Sequence, residues 1–228
     1  MRIRITFRMT VTALLPLLFL PIMCFHYVPK ELHEVLGILW LILVLTHIGQ
    51  NRQWFAALRR GRWPLLRIIG TVIDLSLLIL VIVIVGAGSG ISNHLFKDIM
   101  PMDIQRSIMI HQLHVSLPYA LLILMGLHWG LHFRGWREKW HLPWPASRAV
   151  KVLLALVVTA GGIYGSFLDR VGDRLLMKHI FATSATGEPV EIYVGLLCAI
   201  LGMYILAGIL LGKILYLSVK YFLVNCLQ

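Results

Sequence analysis

Residues 30–54, KELHEVLGILWLILVLTHIGQNRQW, determine how the rest of the chain is interpreted. Of the thirteen residues between His33 and His47, only Glu34 and Thr46 are polar, so the stretch predicts a membrane-spanning helix with an imidazole near each end. A separation of fourteen residues is about four helical turns, which places both rings on nearly one face, roughly 21 Å apart along the axis. Ionisable groups are costly in lipid, so the two histidines are functional candidates.

The same arrangement recurs 81 residues later in the chain. Without a gap, His33 aligns with His114 and His47 with His128, and five leucine or isoleucine positions are identical between the two segments. A single buried histidine is most often a hydrogen-bonded core residue. Equal spacings on two apolar spans instead favour ligation of a cofactor by both helices.

Composition indicates a membrane protein with several spans. The chain is 59% hydrophobic and 14% charged, with a mean hydropathy of +0.83, and we interpret residues 1–228 as one integral membrane domain. The net charge of +11 lies mostly in segments between apolar spans, where it orients the protein, so nucleic acid is excluded as a partner. Three cysteines and the absence of a CxxCH motif argue against a disulfide framework, a zinc site and covalently attached haem.

Hydropathy predicts six transmembrane helices, at about 9–25, 30–54, 65–91, 104–133, 152–168 and 192–211. The first segment lacks a signal-peptide cleavage site and is kept as a span. Basic segments follow the second, fourth and sixth spans, which predicts a multi-pass protein of the bacterial cytoplasmic membrane with both termini in the cytoplasm. Gly86 and Gly90, near the end of the third span, do not match a dinucleotide-binding loop and are interpreted as helix-packing positions.

The second and fourth spans must run in the same direction, because one span lies between them. His33 then shares one level of the membrane with His114, and His47 shares the other with His128. Each pair can bind one iron from opposite sides, as in b-type haem proteins, so the sequence predicts two stacked, non-covalent haem b groups. The predicted fold is an all-α membrane protein whose four-helix, bis-histidine haem-binding core spans about 30–134.

Several further residues have two interpretations each. Arg52 and Arg134 near one level, and Arg106 near the other, are candidates for haem propionate contacts, but arginines there also set topology. His111 competes with His114, although its ring is rotated about 100° from the face that carries His128. Asp74 inside the third span suits either proton delivery to a quinone or an ion pair with Arg67.

The glycines beside the histidines also have two interpretations. Gly37, Gly126 and Gly130 could leave room for a flat macrocycle or serve ordinary helix packing.

At these residues the chain resembles the prokaryotic membrane-bound di-haem cytochromes b, and more narrowly the flavinylation-associated cytochromes. The resemblance rests on the His33, Glu34 and Gly37 start, on His47 with the NRQWF run that ends at Phe55, and on His114 and His128 with GLHWGLH. Shorter matching pieces are Ser89 to Ile91 and the late residues Phe181, Glu188, Pro189 and Val190. It covers most of residues 27–205. The resemblance implies electron transfer between membrane quinone and a redox partner, often a flavin protein outside the cytoplasm.

The sequence therefore predicts a di-haem b-type cytochrome that relays electrons across a membrane as a subunit of an oxidoreductase complex, with enzyme activity of its own left open. Its expected partners are membrane lipid, a quinone or quinol and a redox protein that carries flavin. One alternative is a proton or metal-ion transporter that uses the intramembrane histidines and Asp74. Another is a structural anchor in which the histidines only bridge helices.

Overall fold

The computed structural model describes residues 2–140, 147–179 and 187–225, with side chains described at 7–138, 147–179 and 187–217. All regular structure within these ranges is helical, which confirms the predicted all-α class. The helices are α1 (Arg2–Met23), α2 (Lys30–Gln50), α3 (Gln53–Ala57), α4 (Leu65–Gly90), α5 (Met102–Gln105), α6 (Ile108–Trp140), α7 (Arg148–Leu168), α8 (Val171–Leu175) and α9 (Val190–Asn225).

The membrane-spanning helices were largely predicted by hydropathy. In the described part of the chain, five helices are long and apolar enough to cross a membrane, namely α2, α4, α6, α7 and α9. The apolar part of α1, Phe7–Met23, is shorter than the roughly 20 residues that usually span the hydrocarbon layer. The chain is thus a multi-pass membrane protein, and within the described residues five of the six predicted spans correspond to helices that are long and apolar enough to cross a membrane.

Proline fixes where two of the central helices begin. Pro29 and Pro64 each adopt an extended ψ and directly precede α2 and α4. A proline ring disfavours the helical conformation of the preceding residue and offers no backbone N–H, so the chain turns there and starts a new helix. As a result α1 and α2 are joined by a short connection, and they pack against each other.

The centre of the molecule is α6. It packs against α4 on one side and α9 on another, and α7 packs on the far side of α9. Leu121 and Leu122 of α6 and Leu197 and Ile200 of α9 are at most 2% exposed and form the densest part of the core. In contrast, α1 is the one described helix with which the backbone of α2 makes extensive contact, so a gap remains between α2 and α6.

Small residues allow α6 and α9 to approach closely. A β-carbon at Gly130 would contact the carbonyl of Ile205 and lie 2.7 Å from the Cα of Gly208, and one at Gly126 would lie 2.7 Å from the Cβ of Tyr204. Real β-carbons essentially never come so close to such atoms. The two backbones are therefore in direct contact, as is typical of small-residue interfaces in membranes.

We expect the Gly130→Ala variant to be less stable than the wild type by about 1–3 kcal/mol, because the added methyl group forces α6 away from α9. Thermal unfolding in detergent measures the difference. The matched control is Gly135→Ala on the same helix, where a β-carbon meets nothing within 4 Å. Equal stability of the two variants would show that the contact is not close.

Candidate functional site

Two cavities lie in the gap beside α2, one toward each end of the helix. The first, which we call the Glu34 cavity, has a volume of about 460 Å³ and is lined by Glu34, His33 and His114 among others. The second, the Asp74 cavity, has a volume of about 560 Å³ and is lined by Asp74, His47 and His128 among others. Both volumes fall in the range of ordinary cofactor sites.

Four helices, α1, α2, α4 and α6, supply most of the walls of both cavities. Trp40 of α2 lies halfway between His33 and His47 and lines both cavities. Its indole N–H donates to the carbonyl of Leu15 at 3.0 Å, and its ring lies 5.2 Å from that of Phe19. The participation of α1 was not predicted, since the expected core began at residue 30.

The predicted pairing of histidines is present in the Glu34 cavity. The ring centroids of His33 and His114 are 6.1 Å apart, with the ring planes at 86°. Histidine–metal bonds are about 2 Å long and each coordinating nitrogen lies about 1 Å from its ring centre, so two imidazoles on opposite sides of one ion have centroids roughly 6 Å apart. The separation therefore suits a single metal ion between the two rings.

Hydrogen bonding fixes which nitrogen of His114 faces that space. Its Nδ1 lies 3.1 Å from the carbonyl oxygen of Ile84 in α4. A carbonyl only accepts hydrogen bonds, so Nδ1 carries the proton and Nε2 keeps its lone pair for a ligand. Gly88 makes room for this ring, because a β-carbon there would lie 2.6 Å from Cε1 of His114.

The Asp74 cavity contains the second pair, His47 and His128. Nδ1 of His128 donates to Oδ1 of Asp74 at 2.7 Å. Again Nε2 is the nitrogen left to bind a ligand, and a carboxylate behind a histidine is a common support for metal ligands. Nδ1 of His47 is buried and has no hydrogen-bond partner among the described residues.

The position of Asp74 decides against one of its two interpretations. The guanidinium of Arg67 donates to the carbonyls of Arg62, at 2.8 Å, and of Ala57, and it lies over the ring of Trp63. Asp74 instead bonds to His128. The predicted ion pair with Arg67 is therefore not formed, because each partner is held by other groups.

Other histidines lie near the cavities without matching these pairs. His111 lines the Glu34 cavity, but its Nδ1 donates to the carbonyl of Ser107 at 3.0 Å.

His132 lines the Asp74 cavity, with its ring 4.8 Å from that of His128. His26 lines the Glu34 cavity, and His94 lies 3.4 Å from Glu31. His141 is outside the described residues.

Glu34 ties α2 to the segment that follows α4. Its carboxylate accepts hydrogen bonds from the hydroxyl of Ser92 at 2.7 Å and from the backbone N–H groups of Asn93 and Leu95, both at 2.9 Å. Since these groups also line the Glu34 cavity, the carboxylate closes the cavity at this end. This accounts for the polar residue directly after His33.

A buried ion pair lies on the far side of the same cavity. Arg174 of α8 is 2% exposed and lines the cavity, and Asp169 behind it is 1% exposed. The Nε of Arg174 donates to the carbonyl of Asp169 at 3.2 Å, and the hydroxyl of Tyr193 donates to the Asp169 carboxylate at 3.2 Å. The guanidinium also lies 5.0 Å from the ring of Tyr119. The ion pair was not predicted because Asp169 and Arg174 follow the fifth predicted span, in a loop that hydropathy does not resolve.

The three predicted propionate ligands are not part of either cavity wall. Arg52, Arg106 and Arg134 are all absent from the lining residues, and Arg134 pairs with Glu138 on the surface at 3.1 Å. The cations that do line the cavities are Lys30 and Arg174 in the Glu34 cavity and Arg8 in the Asp74 cavity. The propionate role of the three arginines stays a prediction.

The glycines have separate roles. Gly37 lines the Glu34 cavity, and a β-carbon there would meet nothing within 4 Å. Gly126 and Gly130 face α9, so they serve helix packing. At the end of α4, Gly90 approaches Ile104, but Gly86 meets nothing, so its predicted packing role is wrong.

Comparison of the chain with models of protein families, with curated proteins and with solved structures finds no match. The function must therefore be argued from the geometry of the two cavities.

Proposed function

We propose that this chain is a membrane di-haem b-type cytochrome that relays electrons across a membrane between a quinone pool and a redox partner protein. The observation that carries the proposal is the 6.1 Å separation of the His33 and His114 rings, one from each repeat of the histidine pattern. The second pair, His47 and His128, faces a cavity of about 560 Å³ at the other end of α2.

The residues fit haem b on chemical grounds. In His114 and His128 the Nδ1 proton is donated to an acceptor, so Nε2 is the nitrogen that would bind iron, and His33 and His47 would supply the second ligand of each pair. Haem, when bound, supplies an iron that accepts and releases one electron. The four paired histidines would hold the iron; His114 and His128 are oriented by the hydrogen bonds that they donate to Ile84 and Asp74, and apolar walls exclude water.

We also propose where the protein lies in the cell and to which narrower family of cytochromes it belongs. The protein lies in the bacterial cytoplasmic membrane as a multi-pass chain with both termini in the cytoplasm, which is supported by basic residues after α2 and α6. It belongs with the flavinylation-associated cytochromes, which is supported by the His33, Glu34 and Gly37 pattern, and its partner then carries flavin outside the cytoplasm.

Electron transfer is tested in lipid vesicles that contain the purified chain and trapped ferricyanide. A membrane-impermeant reductant is added outside, and loss of the ferricyanide absorbance is recorded. We expect reduction at least tenfold faster than in protein-free vesicles and than in vesicles with the His114→Ala, His128→Ala double variant. Equal rates in all three preparations would overturn the proposal.

The Gly88→Ala variant tests the Glu34 cavity. An added β-carbon displaces the His114 ring and breaks its hydrogen bond to Ile84, so we expect bound haem to fall from about two toward about one per chain. Haem extracted per chain measures the effect. The control is Gly86→Ala in the same helix, where the β-carbon meets nothing within 4 Å and haem content should not change.

One observation favours a second candidate, a metal-ion transporter. Ligand atoms of Asp74, His128 and His132 lie within 4.8 Å of one another, so the three side chains can hold a divalent cation at one end of the Asp74 cavity. This candidate predicts zinc uptake by vesicles that contain the haem-free chain, with loss of uptake in His132→Ala. The cytochrome proposal predicts no uptake and an unchanged haem content in that variant.

A further inference from the structure

The two cavities differ in the group that supports the histidine of α6. In the Glu34 cavity, the acceptor behind His114 is the neutral carbonyl of Ile84, at 3.1 Å. In the Asp74 cavity, the acceptor behind His128 is the carboxylate of Asp74, at 2.7 Å. The side chains of Asp74 and His128 are 19% and 29% exposed, so water weakens this interaction only in part.

The two acceptors have different effects on the opposite nitrogen of each ring. A carboxylate draws the Nδ1 proton of His128 more strongly than a carbonyl does, which makes Nε2 the more basic ligand atom. A more basic ligand stabilises the ferric over the ferrous state of a bound iron and so lowers its reduction potential. Of the two α6 histidines, His128 is the one with a carboxylate behind it, so this lowering of the reduction potential applies to the Asp74 cavity and not to the Glu34 cavity.

On the basis of the proposed function, we infer that Asp74 is a positioning residue that makes the Asp74 cavity the lower-potential of the two haem sites. With haem bound in both cavities, a single electron would reside mainly at the Glu34 cavity: the iron held by His47 and His128 would give it up and be oxidised, and the iron held by His33 and His114 would accept it and be reduced. The relay is downhill from the Asp74 cavity to the Glu34 cavity.

Charges on the cavity walls add little to this order. Cations favour the reduced state of a nearby iron, but the buried Arg174 of the Glu34 cavity is paired with Asp169, and Lys30 is exposed and therefore screened. Among the described residues, Arg8 lines the Asp74 cavity, and it too is exposed, so solvent and salt screen it. The carboxylate of Glu34 opposes the order, but its oxygens accept three hydrogen bonds from the 92–95 segment and none from a histidine.

The test is a potentiometric titration of the purified, haem-loaded chain, followed by its visible spectrum. In Asp74→Asn, the lower-potential component should change its oxidised-to-reduced ratio at a fixed potential by at least tenfold in favour of reduction, which is about 59 mV for a one-electron couple. The upper component should change by less than about twofold. A shift confined to the upper component, or no shift, would overturn the inference.

Two controls separate the charge of Asp74 from its structural role. Asp74→Glu keeps a carboxylate behind His128, so the lower component should stay closer to its wild-type potential than in Asp74→Asn. Glu34→Gln makes the same carboxylate-to-amide change beside the other cavity and should leave the lower component in place.

The His114→Ala variant assigns the components. It should keep the haem of the Asp74 cavity, and that haem should titrate as the lower component. If it titrates as the upper one, the inference is wrong while the cytochrome proposal stands. A wild-type chain that binds no haem overturns the cytochrome proposal itself, so the two failures are distinguishable.

Discussion

Replacement of His114 by alanine is expected to reduce bound haem from about two to about one per chain. The variant removes one of the two imidazoles whose ring centroids are 6.1 Å apart and leaves His33 without its partner across the Glu34 cavity. The other pair lies toward the other end of α2, beyond Trp40, and keeps its support from Asp74. Haem extracted from purified protein and quantified per chain measures the loss.

His111→Ala is the matched control, because His111 lies one turn earlier in α6 and lines the same cavity. Its Nδ1 proton is donated to the carbonyl of Ser107, one turn earlier in the chain. We expect this variant to keep both haems. If His111→Ala lost one haem and His114→Ala kept both, the pairing proposed for this cavity would be wrong.

Replacement of Arg174 by alanine is expected to cost about 3–5 kcal/mol of stability, the largest effect on folding that we predict. Arg174 and Asp169 are both almost fully buried, so the variant leaves a carboxylate without its cation in a site with little water. Thermal and chemical unfolding in detergent measure the difference. A double variant, Asp169→Asn with Arg174→Met, should recover most of the loss because it removes both charges.

The Arg174→Ala variant should also change how the stability of the protein depends on pH. Burial raises the pKa of Asp169 above its ordinary value of 3.8, and Arg174 opposes that rise. Without Arg174 the pKa rises further, so the folded state binds the proton more tightly than the unfolded state does. The stability of Arg174→Ala should therefore fall as the pH rises above 3.8. The fall should end once the pH exceeds the pKa of Asp169 in the folded state.

A surface ion pair from the same region serves as the control for Arg174. Lys178 pairs with Asp173 at 2.9 Å, but its side chain is 59% exposed. Lys178→Ala should cost only about 0–1 kcal/mol. If Lys178→Ala and Arg174→Ala lost the same amount of stability, burial of the Arg174–Asp169 pair would not be the reason for the loss.

The helices and the histidine pairing could be predicted from the sequence because both depend on regular spacing along a helix. Apolar runs define α2 and α4 to within a few residues, whereas α6 continues to Trp140, beyond its predicted end near residue 133. The shared separation of fourteen residues places His33 opposite His114 once the helices run in the same direction. The rotation argument against His111 also agrees with its hydrogen bond to Ser107. Periodicity carries this information without knowledge of the tertiary contacts.

Contacts between distant segments could not be predicted in the same way. Asp74 and His128 are 54 residues apart, and the bond between them depends on the rotation of α4 against α6, which no local pattern specifies. Likewise, the hydrogen bonds from Ser92 to Glu34 depend on how the chain turns after α4. The arginines named as propionate ligands were chosen by distance along the chain, but the lysine and arginine side chains that line the cavities among the described residues come from α1, α2 and α8.

The central proposal is that each cavity holds one haem between two histidines. The most direct measurement is the amount of haem per chain in the purified protein, determined from the pyridine complex after expression with an adequate haem supply. We predict two haems per chain, with a reduced-minus-oxidised spectrum of b type. A chain that folds, keeps its helical content and contains no haem would contradict the account.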